Sequence, residues 1–218
     1  MVSGDPFSTP SSGHDGSTGS RVQEDELMGG QVQDTLLSMI RCCGITDRDV
    51  TYVSVPITTG RSYLSWRRQN PQLEESHPEY QGAHQENVVR VNLDNARDVI
   101  ARVRRQVTGP VIDPTLFVGI DGWDQSDYHQ FWTAIIEQFV QTVVFADGWQ
   151  YSAGCAVEFL AARENGIDTR DEGLSILTPS RGFTLLTSAV QEFAAAGLDA
   201  KTLSDVATYT PLPEVRQP

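Results

Sequence analysis

Two segments of the chain carry residue types that could do chemistry. The first runs from Asp147 through Gly148, Trp149, Ser152 and Gly154 to Glu158. A glycine-containing loop leads there into a helix that is expected to begin near Ser152. Glu158 falls on the second turn of that helix, among Ala156, Phe159 and Ala162, residues that should pack on a core. A carboxylate on a largely apolar helix needs a reason, because burying an unpaired charge is costly. A salt bridge on the helix flank supplies one as readily as an active site does. The second segment runs from Tyr52 to Arg61, where a β-branched stretch meets Pro56, Ile57, Thr58, Thr59, Gly60 and Arg61. Gly60 permits close backbone approach to a ligand. Thr58, Thr59, the Gly60 N–H and the Arg61 guanidinium together suit an anion such as phosphate. An ordinary polar loop has the same composition, and the segment is not a Walker motif.

A third cluster gathers Asp121, Trp123, Asp124, Asp127 and His129. Its spacing matches no metal-ligand motif, and such charges cap helices or face water. His77 and His84 are too scattered to act as ligands, and His14 lies in a polar tail. No metal and no cofactor are expected.

The elements that must position these residues alternate. Residues 34–43 have helical spacing and end at Gly44. Residues 50–55 are a β-branched run stopped by Pro56, which reads as a buried strand. Val89, Leu93, Ala96, Ile100, Val103 and Val107 recur at three- and four-residue steps, the mark of an amphipathic helix. A short strand is expected at 111–113, a helix at 126–141, a strand at 142–146 and a helix at 152–165 closed by Gly166. A strand at 174–177 and a helix capped by Ser180 and closed by Gly197 complete the series. Residues 61–86 read as a long irregular polar insert. The order is that of an α/β fold, a Rossmann/flavodoxin-like parallel sheet of four to five strands flanked by helices on both faces. Ligands of such sheets bind beyond the carboxyl ends of the strands. Attention therefore falls on residues 56–68, 114–125 and 147–154, and Asp113 and Asp147 join the candidate substrate contacts.

The 218 residues fit one domain of ordinary size with tails. Residues 1–30 are rich in Ser, Gly, Asp and Pro and read as a disordered tail, residues 31–208 as a single domain, and 209–218 as a loose C-terminus. No signal-like apolar stretch opens the chain and no run of 18 apolar residues occurs, so no transmembrane span is expected. Cys42, Cys43 and Cys155 form no disulfide framework, which suits a reducing, cytoplasmic setting. A net charge of −13 argues against binding nucleic acid or an anionic membrane. A small phosphorylated ligand in one local pocket is compatible with it. Lys201 is the only lysine, so the cations are almost all arginine, a choice that suits bidentate anion contacts but that composition bias explains equally.

Taken together, these segments resemble the nucleoside 2-deoxyribosyltransferase-like superfamily, and most nearly its hydrolase branch, which acts on nucleoside 5′-monophosphates. Members end their first strand in a tyrosine followed by an Ile-, Gly- and Arg-containing turn, which Tyr52, Ile57, Gly60 and Arg61 match without a gap. They carry a glutamate on the helix after the third strand in a Ser-x-Gly-x-x-x-Glu setting, matched by Ser152, Gly154 and Glu158. The Gly148–Trp149 loop resembles that of a related branch. The likeness spans residues 50–180.

The resemblance implies Glu158 as nucleophile at the anomeric carbon and Tyr52 as the hydroxyl that aims it, in the manner of a retaining glycosidase. It implies a nucleotide as small-molecule substrate and a homodimer or larger homo-oligomer. Ser152 stands where monophosphate hydrolases carry serine and nucleoside transferases carry aspartate. Departures are also visible. Residues 131–135 lack the aspartate that members often place near the leaving base, so its proton donor is unassigned among Asp113, Asp121 and Asp147. Pro56 replaces a turn serine, and the 61–86 insert is longer than usual and could act as a lid. The implied activity is hydrolysis of the base–sugar bond of a nucleoside 5′-monophosphate. Base exchange, dinucleotide glycohydrolysis of the NAD type and non-catalytic nucleotide sensing are the competing expectations.

Overall fold

The structure is a computed structural model that describes residues 32–45, 48–117, 120 and 123–209. The expected tails at 1–30 and 209–218 lie outside the described residues except for Tyr209, and Asp121 lies outside them too. A helix over 32–42 (α1) is followed by β1 (Val50–Ser54), α2 (Arg61–Gln69), α3 (Tyr80–His84) and a π-helical turn (Gln85–Val89). Then come α4 (Arg90–Gln106), β2 (Val111–Ile112), α5 (Gln125–Phe139), β3 (Val140–Phe145), α6 (Ala153–Glu164), β4 (Asp168–Asp171), α7 (Pro179–Ala195) and α8 (Lys201–Ala207).

The four strands form one parallel sheet in the order β2-β1-β3-β4. β1 is buried along its whole length because helices cover both of its faces. Side chains alternate across a strand, and the alternation decides what faces what. Val50 and Tyr52 join Val143, Phe145 and the apolar faces of α5, α6 and α7. Val53, Val55, Val144 and Ala146 pack instead on Ala96, Val99, Ile100 and Val103 of α4. The chain leaves β1 toward β2 on one side and returns to β3 on the other. The crevice beyond the carboxyl ends of β1 and β3 is the position where open α/β sheets hold ligands. Among the described residues no helix is long and apolar enough to cross a membrane.

Three sequence expectations change. The strand expected at 174–177 is the return arm of a tight turn that folds back antiparallel on β4, through an Arg170–Ile176 bridge, the Asp171 N–H to Ser175 carbonyl bond, and the bonds from the Leu177 N–H to the Thr169 carbonyl and from the Thr169 hydroxyl to the Leu177 carbonyl. The parallel strand is β4, an edge strand whose Asp168, Arg170 and Asp171 hide it from an apolar-run reading. Thr178, not Ser180, caps α7, because Pro179 takes the first helical position, where its missing N–H costs nothing. Residues 61–86 are largely helical rather than irregular. Trp66 is buried, and Tyr63, Trp66 and Tyr80 surround the His84 ring with centroids 5.2–6.3 Å apart, which folds the insert onto the domain.

Candidate active site

Glu158 is placed by a short piece of chain. β3 ends, Gly148 turns in the left-handed region at φ 79°, and one 3-10 turn over Trp149–Tyr151 delivers Ser152 as the N-cap of α6. The Ser152 hydroxyl accepts a long 3.5 Å bond from the Cys155 N–H. Six residues beyond Ser152, Glu158 points back at β1. Tyr52 Oη donates to its Oε1 at 2.6 Å, and Ser54 Oγ donates to its Oε2 at 2.5 Å. Both donors come from one face of one strand, since residues two apart share a face. The carboxylate is buried at 9% exposure, and Tyr52 and Ser54 are fully buried.

Electrostatics follow from that burial. Desolvation pushes the Glu158 carboxyl up to about 7, against the opposing hydrogen bonds from Ser54 and Tyr52. The Tyr52 phenol is driven well above its ordinary value by burial and by the adjacent Glu158 charge. Burial and Glu158 push the Cys155 thiol up to about 12. The Glu158 carboxyl is therefore the group of this trio that changes charge near neutral pH.

These groups floor a cavity of about 660 Å³. Its walls are mostly apolar, with Leu93, Phe117, Ile120, Trp123 and Trp132 prominent. Its polar lining comes from Thr58, Thr59, Gln85, Gln125, His129 and Ser152. That is the character of a small-molecule site: apolar walls with a few polar groups. Of the residues expected from sequence, Tyr52, Ile57, Thr58, Thr59, Ser152, Gly154 and Glu158 line this one cavity. No lysine or arginine does so among the described residues.

The remaining candidates lie elsewhere, each for a visible reason. The Gly60 N–H is engaged by the Tyr151 carbonyl at 3.1 Å, so it offers nothing to an anion. Gly60 is still required there: at φ 94° a Cβ would sit 2.6 Å from that of Pro56. Arg61 pairs with Asp147 at 3.3 Å and covers the Tyr151 ring. Both members are largely exposed, at 54% and 72%, and border a separate hollow of about 340 Å³ against α4. Gly148 packs beside Arg61. Trp149 is buried between Phe145 and Phe159, with centroids 4.8 and 4.9 Å away, and acts as core. Asp113 accepts from Thr115 and pairs with Arg104 at 3.3 Å; it does not line the cavity, although it is near enough for its charge to raise the Tyr52 pKa.

Sequence reasoning missed Ser54, Gln85, Gln125 and Trp132 and set His129 aside. A signal for Ser54 existed, because two-residue periodicity puts it on the face of Tyr52. Among the described residues no group of three or more His, Cys, Asp or Glu side chains could hold a metal ion. Set against known protein families, curated proteins and solved structures, the chain matches none of them.

Proposed function

We propose that the protein hydrolyses the base–sugar bond of a nucleoside 5′-monophosphate through a glycosyl intermediate on Glu158. The observation that carries this reading is a buried glutamate on a cavity floor, with both oxygens held by hydroxyls from one strand. In such a site the carboxylate attacks the anomeric carbon, the carbon–nitrogen bond breaks, and water later releases the sugar. Tyr52 and Ser54 fix the carboxylate before substrate arrives, which removes an ordering cost from the barrier. The largely apolar walls suit a planar base. Ser152 supports the phosphate. It lines the cavity as the N-cap of α6, at a helix N-terminus, where an anion is favoured.

The absence of lysine and arginine from the described lining favours a second reading, an unphosphorylated nucleoside. One experiment separates the two. Nucleosides and their 5′-monophosphates are screened for free-base release, with Glu158→Gln as control, and again with a second base added. Monophosphate turnover without transfer supports the hydrolase. Equal turnover of both forms removes the phosphate, and transfer to the added base makes the protein a base-exchanging enzyme. Binding without release in the wild type leaves a nucleotide sensor.

A further inference from the structure

Glycosidic cleavage needs a proton as well as a nucleophile, because an unprotonated nucleobase departs as a poor anionic leaving group. Asp113 and Asp147 are committed outside the cavity, to Arg104 and Arg61. Among the described residues, the titratable side chains lining the cavity are Tyr52, Tyr128, His129, Cys155 and Glu158. Tyr52 spends its proton on Glu158, and Cys155 lies buried beside the same carboxylate. Tyr128 Oη accepts from the Ile120 N–H at 2.7 Å and keeps its own proton, but a phenol is in general a far weaker acid than an imidazolium.

His129 is different. It stands on the second turn of α5, which packs on α6. Its Nε2 lies 3.6 Å from the point where a Cβ on Gly154 would be. Gly154 precedes Glu158 by four residues, so the two share a face of α6 about 5–6 Å apart. The imidazole and the carboxylate thus border the same space, one helical turn apart, and Gly154 puts no side chain between them. Gln125 Nε2 meets His129 Nε2 at 2.9 Å. A carboxamide serves either protonation state: its NH2 donates to the neutral ring, and after rotation its oxygen accepts from the imidazolium.

We propose that His129 is the general acid–base of the reaction. This rests on the reading of Glu158 as the nucleophile of an N-glycosidase. In the first step Glu158 forms a bond to the anomeric carbon and the carbon–nitrogen bond breaks. Its electron pair goes to the base, which takes a proton from the His129 imidazolium. In the second step water attacks the same carbon and gives its proton to the now neutral imidazole, and the Glu158 carboxylate leaves. Burial lowers the His129 pKa below its ordinary value, against the pull of Asp124, so the imidazolium is the stronger acid, and ionised Glu158 coexists with it best just below neutral pH.

The test uses the full chain and a set of nucleosides sharing one sugar, with or without 5′-phosphate as the wild type requires. The departing base runs from poorly acidic adenine and uracil to more acidic 6-chloropurine and 5-fluorouracil. His129→Gln should slow release of adenine or uracil about 100-fold or more, and of the acidic bases less than about tenfold, since protonation matters least for the best leaving groups. Glu158→Gln should abolish release across the whole set. A uniform loss in His129→Gln, or no loss, overturns the proposal while leaving Glu158 in place. A wild type that releases no base from any member overturns the reading of Glu158 as well. Melting curves check folding, and His129→Asn is read in the same way if His129→Gln does not fold.

Discussion

Ser54 and Glu158 stand 104 positions apart in sequence, and the serine hydroxyl meets the carboxylate at 2.5 Å on the buried face of the central strand. Together with Tyr52 on the same face, Ser54 holds the glutamate in one orientation and keeps its pKa below the value to which burial alone would drive it.

Losing either hydroxyl should therefore shift the pH dependence of the reaction. The nucleophile must be ionised while His129 is protonated, so base release in the wild type should follow a bell in pH, with its alkaline limb at the Glu158 value of about 7. Tyr52→Phe and Ser54→Ala each remove a bond to a charged acceptor, worth about 1.5–3 kcal/mol. Activity at pH 7 should fall roughly 10- to 100-fold, and the alkaline limb should move to higher pH, so that the gap to the wild type narrows toward pH 9. Profiles of kcat against pH decide the matter, and an unshifted limb in both variants removes the hydroxyls from this role.

Stability should respond to the same group with a definite sign. The Glu158 carboxyl has a folded pKa of about 7, above the ordinary glutamate value of 4.5. Between those values the folded state binds more protons than the unfolded state, so stability falls as pH rises from about 4.5 to 7. The loss attributable to Glu158 is on the order of 3 kcal/mol. Glu158→Gln should raise Tm at pH 8 and change it little at pH 4.5. Melting curves at the two pH values check this, and a Tm gain of the same size at both would contradict it.

The phosphate expectation divides between two residues. Ser152→Asp keeps a helix cap but adds a negative charge at the cavity. It should cut monophosphate turnover strongly, and nucleoside turnover much less. Arg61→Ala removes an exposed ion pair outside the cavity, worth under about 1 kcal/mol. It should move KM for either substrate less than about threefold. A large KM effect confined to the monophosphate in Arg61→Ala would return that residue to the site.

A packing test is independent of chemistry. A Cβ at Gly182 of α7 would lie 2.2 Å from the Phe159 ring, the residue next to Glu158. Gly182→Ala should cost about 2 kcal/mol by overpacking, and Tm should drop by roughly 6 °C for a domain of this size. An unchanged Tm would mean that the α6–α7 contact yields easily.

The alternation of strands and helices was legible because β1, β3 and α4 are strongly patterned apolar segments. β4 was not, because an edge strand solvated on one side tolerates Asp168, Arg170 and Asp171. α2 escaped notice because it starts at Gly60 with no side-chain cap, and a helix without a cap signature has no sequence marker for its start. Within the site, Tyr52, Ser152 and Glu158 could be singled out by type and spacing. The separation of Arg61 from the cavity could not, because it depends on which side of the β1–α2 loop the guanidinium leaves. His129 was masked by the aspartates around it in sequence, which cap α5 rather than share its cavity.

The helical run from Tyr80 to Gln106 bears on how ligands enter. Through the π-turn the backbone keeps right-handed helical angles at both flanks, His84 at −62°, −46° and Arg90 at −60°, −44°. Residues 80–106 thus form a single rod, roughly 40 Å long at 1.5 Å per residue. Its first part carries Gln85 and Val89 in the cavity wall, and its later turns carry Val99 and Ile100 against the back of the sheet. Such a rod has no hinge of its own. Any swing of this wall would have to lever Val99 and Ile100 out of the core behind β1, so this side of the cavity is a fixed jamb rather than a door.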